Sequence, residues 1–132
     1  MGEIFRDSIE NECHACIFTK EEKMVKCSFC MAQKIIKGKW KLLIIRDLQN
    51  KTKRFSEIQK DISITQSSLS KQLRELEEDG IVLRKAFDEI PPRVEYSLSP
   101  IGHRFVSVLK ELDNWGIDYI KYTIENKGRS KN

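Results

Sequence analysis

No apolar run in these 132 residues approaches the roughly 20 that a helix needs to cross a bilayer. The opening stretch, MGEIFRDSIENEC, is acidic and lacks the apolar segment of a secretory signal. GxSxG, HExxH, the P-loop and the dinucleotide fingerprint are all missing, so no enzyme signature of those kinds is present. There are no internal repeats and no low-complexity linker. Cysteine does not occur outside residues 13–30. These absences predict a cytoplasmic chain with one compact core, no membrane partner and no small-molecule substrate. In that compartment thiols stay mostly reduced, so four clustered cysteines point to metal binding or thiol chemistry rather than to structural disulfides.

What is present is ordinary in amount and uneven in place. Hydrophobic residues make up 39% and charged residues 33%, the balance of a helix-rich globular protein. The net charge is only +4, yet residues 37–60 hold eight basic residues against Asp47 and Glu57, a local +6. A concentration of that kind suits a polyanionic partner, although charge alone fits a solvated lysine-rich surface equally well.

The periodicity of apolar residues sets out an order of elements. A short helix is expected over 28–36, with Met31, Ile35 and Ile36 inward, then an interruption at Gly38. Trp40, Leu43, Ile44 and Leu48 mark an amphipathic helix over about 39–49. QNKTK reads as a polar turn, and Phe55 and Ile58 place a short helix at about 55–61. Thr65 is the N-cap expected for the next helix, whose stripe is Leu69, Leu73 and Leu76 and whose end is Gly80. The period then shortens to that of strands. Ile81–Phe87 and Arg93–Leu98 predict a two-stranded hairpin, with Pro91 and Pro92 kept in the connection because neither can donate to a ladder. Ser99 and Pro100 start a long helix, in which Ile101, Phe105, Val108, Leu109, Leu112, Trp115 and Tyr119 keep helical spacing.

A short helix, a tight turn, a capped helix and a hairpin in this order form a winged helix-turn-helix: a mainly α fold with a small β-hairpin wing. Its capped helix belongs in the DNA major groove. Away from the leucine stripe that helix carries Gln66, Ser67, Ser68, Lys71 and Gln72, side chains able to pair with base edges or phosphates. Its acidic residues, Glu75, Glu77, Glu78 and Asp79, fall at the far end. Near the wing, Arg84, Lys85 and above all Arg93 are phosphate candidates, as are Lys39 and Arg54 at helix starts. The apolar stripe Phe105, Val108, Leu109, Leu112, Trp115 and Tyr119 exceeds what a thin winged domain covers, which predicts a homodimer that buries part of it. The expected boundaries are 1–26 for an N-terminal extension, 27–126 for the winged domain with its dimerisation helices, and 127–132 for a frayed tail.

The segments GKWKLLIIRDL, RFSEIQKDI, SSLSKQLRELEEDGIVLRKAF and PPRVEYSLSPIG resemble the HxlR family of MarR-like bacterial and archaeal regulators, over about residues 27–120. The resemblance implies a homodimeric DNA-binding regulator, usually a repressor of a nearby gene, that dimerises through its first and its long C-terminal helix. It also implies a sensing cysteine thirteen residues before the tryptophan of GKW. Cys27 stands there, making it the redox candidate and a thiol-reactive compound a candidate effector. The chain departs from the family pattern in three ways: Ser28 follows that cysteine where proline is common, Cys30 is added, and an extension brings Cys13 and Cys16.

Two CxxC pairs ten residues apart supply the four thiolates of a tetrahedral zinc site, one Zn²⁺ per chain on Cys13, Cys16, Cys27 and Cys30. A thiol switch is the other reading, and the two merge if a zinc–thiolate site is itself oxidisable. His14 is a weaker ligand candidate, while His103 has no sequence partner and reads as structural. A rubredoxin- or thioredoxin-like redox protein is the remaining alternative, but no βαβ context surrounds the CxxC units and the winged segment would be left without a role.

Overall fold

The structure, a computed structural model, describes residues 27–127. In chain order the elements are α1 (Ser28–Ile35), α2 (Lys39–Asp47), β1 (Lys53–Arg54), α3 (Phe55–Ile62), α4 (Gln66–Glu78), β2 (Val82–Phe87), β3 (Arg93–Leu98), α5 (Pro100–Arg104) and α6 (Val106–Lys127). The chain divides into two compact units, residues 1–41 and 42–132.

In the first unit, Cys27 is the N-cap of α1, and its carbonyl accepts the Met31 N–H at 3.1 Å. Cys30, one turn along, is buried, whereas Met31 and Ile35 are half-buried. Gly38, between α1 and α2, has φ +87°, a left-handed conformation that costs glycine little.

The second unit is built around Ile44, Ile45, Leu48, Ile58, Ile64, Leu69, Leu73, Leu76, Ile81, Val82 and Leu98, all buried. The stripe of α4 lies wholly inside because its leucines recur at four and then three residues, one face of a 3.6-residue helix. The Thr65 hydroxyl accepts the Ser68 N–H at 3.3 Å and fixes where α4 begins. At its start α3 holds the reverse bond, the Glu57 carboxylate accepting the Arg54 N–H at 3.1 Å. The turn between α3 and α4 runs through Ser63 at φ 55°, ψ 49°.

The hairpin has the expected strand limits to within a residue and one more partner than expected. β1 pairs antiparallel with β3, Lys53 opposite Tyr96 and Arg54 opposite Glu95, so the sheet has three strands in the order β1-β3-β2. β2 and β3 are in register from Val82 opposite Leu98 to Phe87 opposite Arg93. β1 is two residues long and charged, and it has no side-chain alternation to read. Only backbone pairing defines it.

Ser99 is buried and tied on three sides. Its hydroxyl donates to the Gly80 carbonyl at 2.5 Å and accepts the Gly102 N–H at 3.1 Å, and its own N–H donates to the Ile81 carbonyl at 2.9 Å. The long helix expected after it is divided. The Phe105 N–H reaches back three residues, to the Gly102 carbonyl at 3.1 Å, and this tightened turn separates α5 from α6. Apolar spacing passes through such a turn unchanged, so the break has no sequence signature.

Candidate nucleic-acid interface

With Leu69, Leu73 and Leu76 inward, helical geometry decides which side chains of α4 face out. Gln66, Ser67, Ser70, Lys71 and Arg74 are exposed, while Ser68 and Gln72 lie on the flanks and are half-buried. Ser67, Lys71 and Arg74 follow one another at four and three residues, opposite the leucines. Of the residues expected to read DNA, Gln66, Ser67 and Lys71 are therefore brought onto the open side, and Ser68 and Gln72 onto its edges. Arg74 was missed. Its signal was its place seven residues after Ser67, hidden in the sequence by the acidic run that follows it. At the end of the helix Glu77, Glu78 and Asp79 are exposed and Glu75 is half-buried.

The basic stretch 37–60 is not a uniform surface. Lys41 is buried. The Lys53 ammonium lies between two carboxylates, 2.8 Å from Asp47 Oδ1 and 2.6 Å from Asp61 Oδ2. Burial raises the Asp47 carboxyl above its ordinary range against the pull of Lys53, whereas the hydrogen bond from Lys53 holds Asp61 below it. Hydrogen bonds to Asp47 and then Asp61 raise Lys53. Lys39, Arg46, Lys51, Arg54 and Lys60 are exposed. Lys39 also lies 4.5 Å from the centre of the Trp40 ring.

The wing cations are unequally available. Arg84 and Lys85 are exposed on β2, with the Lys85 ammonium 5.0 Å from the centre of the Phe87 ring. Arg93, the leading candidate from sequence, is engaged within the hairpin: 3.1 Å from Glu89, 3.5 Å from Glu95, and stacked 4.0 Å from the centre of the Phe87 ring. At 3.5 Å the Glu95 contact is an ion pair without a hydrogen bond, and Arg93 Nε makes none.

α6 has no buried residue. Phe105, just before it, and Leu109 are half-buried, and Val108, Leu112, Trp115 and Tyr119 are exposed, as are Ile117, Ile120, Tyr122 and Ile124. Trp115 and Tyr119 stack with centres 5.2 Å apart, and Tyr122 follows at 5.9 Å. Between the C-terminal part of α2 and α6 runs an open groove of about 640 Å³ with walls that include Leu42, Leu43, Leu112 and Ile120, and with Arg46 and Asp113 at its sides.

Cys27 and Cys30 stand at the N-cap and in the first turn of α1, both buried. Cys13, His14 and Cys16 lie outside the described residues. Among the described residues no cluster of three or more histidine, cysteine or carboxylate side chains is placed to hold a metal. One helical turn bearing two thiols fits half of a four-thiolate zinc site. His103 is exposed on α5.

A capped helix with a polar, cation-bearing outer face, preceded by a short helix and followed by a three-stranded wing, defines a winged helix-turn-helix of the DNA-binding class. The sequence pattern of the HxlR-like helix-turn-helix family matches residues 35–124, and the chain belongs to that family. The HTH-type transcriptional regulator YkvN of Bacillus subtilis (strain 168) is 43% identical over 95 residues, 71% of this chain and 80% of that protein. The solved structure of the redox regulator HypR in its oxidised form is 39% identical, with a TM-score of 0.65 over 70% of this chain and 96% of that one. The reduced form of the transcriptional regulator YodB from B. subtilis is 36% identical, with a TM-score of 0.60 over 64% and 84%. The chain is a transcriptional regulator of the HxlR and MarR type, not an enzyme. No described helix is long and apolar enough to cross a membrane.

Proposed function

We propose that the chain is a cytoplasmic, homodimeric repressor that binds an operator through α4 and answers to the state of its cysteines. The observation that carries the reading is the outer face of α4, where Ser67, Lys71 and Arg74 stand opposite a fully buried leucine stripe behind a fixed cap. Such a helix offers cations and hydroxyls to a groove and keeps its carboxylates at the trailing end. Gln66 and Ser67 at the N-terminal turn read base edges, Lys71 and Arg74 meet guanine or phosphate, and Ser68 and Gln72 contact the groove walls. Lys39, Arg54 and Lys85 supply phosphate contacts. Arg93 joins them only by exchanging a carboxylate for a phosphate.

A second copy of the chain covers the apolar side of α6. An exposed stripe through Val108, Leu112, Trp115 and Tyr119 on an unburied 22-residue helix supports this.

For the cysteines, Cys13, Cys16, Cys27 and Cys30 would hold one Zn²⁺ per chain, and the same four thiolates are oxidisable, with Cys27 the lead sensing residue. Support comes from the two buried thiols on one turn at the start of α1, and from the names of two similar proteins: HypR is a redox regulator, and YodB has been solved in a reduced form. A metal-to-protein ratio taken with a count of reactive thiols tests this. About one zinc per chain with masked thiols supports the site. No metal with four reactive thiols leaves the switch alone.

The functional test is binding to duplexes enriched from a random-sequence pool, followed by repression of a reporter behind the enriched site. Absence of enrichment would remove the DNA-binding reading.

A further inference from the structure

Ile90 is fully exposed at the apex of the wing, more so than any other described large hydrophobic residue. It is followed at once by Pro91 and Pro92, whose fixed φ stiffens the apex against folding back. The charges around it cancel. From Val82 to Leu98 the hairpin holds Arg84, Lys85 and Arg93 against Asp88, Glu89 and Glu95, three against three. Glu89, next to Ile90, is neutralised by Arg93, which is itself held by Glu95 and by the Phe87 ring. The cation nearest the tip, Arg93, is thus already engaged, while the exposed phosphate candidates Arg84 and Lys85 stand further back on β2. What its tip presents is shape: one branched apolar side chain and two prolines.

The hairpin is also the right length to place that tip. Six strand residues span roughly 20 Å along β2 from its start at Val82 toward that tip. Half a turn of B-DNA, from a major groove to the next minor groove, is roughly 17 Å. Isoleucine and proline are among the side chains that wedge between base pairs from the minor groove and kink the duplex at flexible pyrimidine–purine steps.

We propose that Ile90 is a minor-groove wedge, entering the groove that flanks the half-site read by α4 and selecting there for a deformable step rather than for base edges. The proposal rests on the DNA-binding reading above and deepens it: the wing contributes specificity through bending. Two copies of the wing in a dimer bend the operator at two symmetrically placed steps.

The test uses the full chain and the duplex that the wild-type protein enriches from a random pool, labelled at both ends. Ile90→Ala is expected to bind at least about tenfold more weakly, the loss of one buried branched side chain. Its salt dependence stays unchanged, because no phosphate contact is removed. The end-to-end energy transfer that reports bending falls, and a second enrichment with the variant loses the flanking TA or CA step. Ile90→Phe, which keeps a wedge, retains the bend. Equal affinity and equal bending in Ile90→Ala would overturn the wedge while leaving DNA binding intact, and so would a loss that tracks salt. A wild-type chain that enriches no duplex would overturn both. The side chain touches solvent alone, so an unchanged thermal midpoint in Ile90→Ala is expected and separates these outcomes from misfolding.

Discussion

The Lys53 ammonium lies 2.8 Å from Asp47 Oδ1, and through this contact β1 is fastened to the end of α2. The same ammonium meets Asp61 at 2.6 Å, near the end of α3, while the Lys53 backbone pairs with Tyr96 in the wing. One side chain therefore joins the helix that precedes the DNA-binding motif, the first helix of that motif, and the sheet.

Lys53→Met is expected to lower stability by about 2–3 kcal/mol, measured by denaturant unfolding, because Asp47 is half-buried, its Oδ2 makes no hydrogen bond, and removal of the cation leaves the carboxylate uncompensated. The pH dependence follows from the shifts. Lys53 is raised, so its contribution is fully present below about 10.5 and is lost as pH rises through the higher folded value. Asp61 is lowered, so its contribution is present above about 3.8 and lost as pH falls through the lower folded value. Asp47 is raised and acts in the opposite sense, favouring the folded state when protonated. The stability gap between wild type and Lys53→Met should be flat from about pH 6 to about 9 and close above 10.5. A gap that keeps its size at pH 11.5 would mean that the ion pair is not its source.

Gly102→Ala is expected to destabilise the chain by about 2 kcal/mol, since a Cβ there would collide with the Ile81 carbonyl oxygen, which is backbone and cannot turn aside. Gly116→Ala, with open space above it, should instead stabilise the isolated protomer by up to about 1 kcal/mol. Equal unfolding midpoints for the two variants would contradict the close approach of α5 to the β2 start.

If the homodimer proposed above buries this face of α6, Leu112→Asp should raise its dissociation constant by about a hundredfold or more, because each copy would place a charge where an apolar leucine would be covered. Its protomer fold should survive, because Leu112 is 47% exposed. Sedimentation at several concentrations distinguishes this from unfolding, and an undisturbed dimer would move the interface off this face of α6.

Much of this architecture is legible in the amino-acid order. Thr65, the Leu69–Leu73–Leu76 stripe and Gly80 bound α4 because capping and burial each impose a local, periodic demand. Ser99 and Pro100 mark a helix start for the same reason. What was hidden depends on partners distant in sequence. β1 exists only through its pairing with β3, and the break at Phe105 is one shortened hydrogen-bond step inside an unbroken apolar pattern. The charge reading of residues 37–60 counted Lys41 and Lys53 as surface cations, yet burial takes the first and two carboxylates the second. Arg93 is marked by its place beside the prolines, but the partners that engage it, Glu89, Glu95 and Phe87, lie within six residues of it, so this loss of a free cation was open to a reading of the neighbouring charges.

The central claim is that the outer face of α4 reads DNA, and the most direct measurement is the affinity of Lys71→Ala, Arg74→Ala and Gln72→Ala for a duplex enriched by the wild-type protein, each taken across a range of salt. Lys71→Ala and Arg74→Ala should each weaken binding by about tenfold or more at unchanged thermal stability, with a shallower salt slope wherever a phosphate contact is lost, while the half-buried Gln72→Ala has the smaller effect. Full affinity in both Lys71→Ala and Arg74→Ala would take α4 out of the groove.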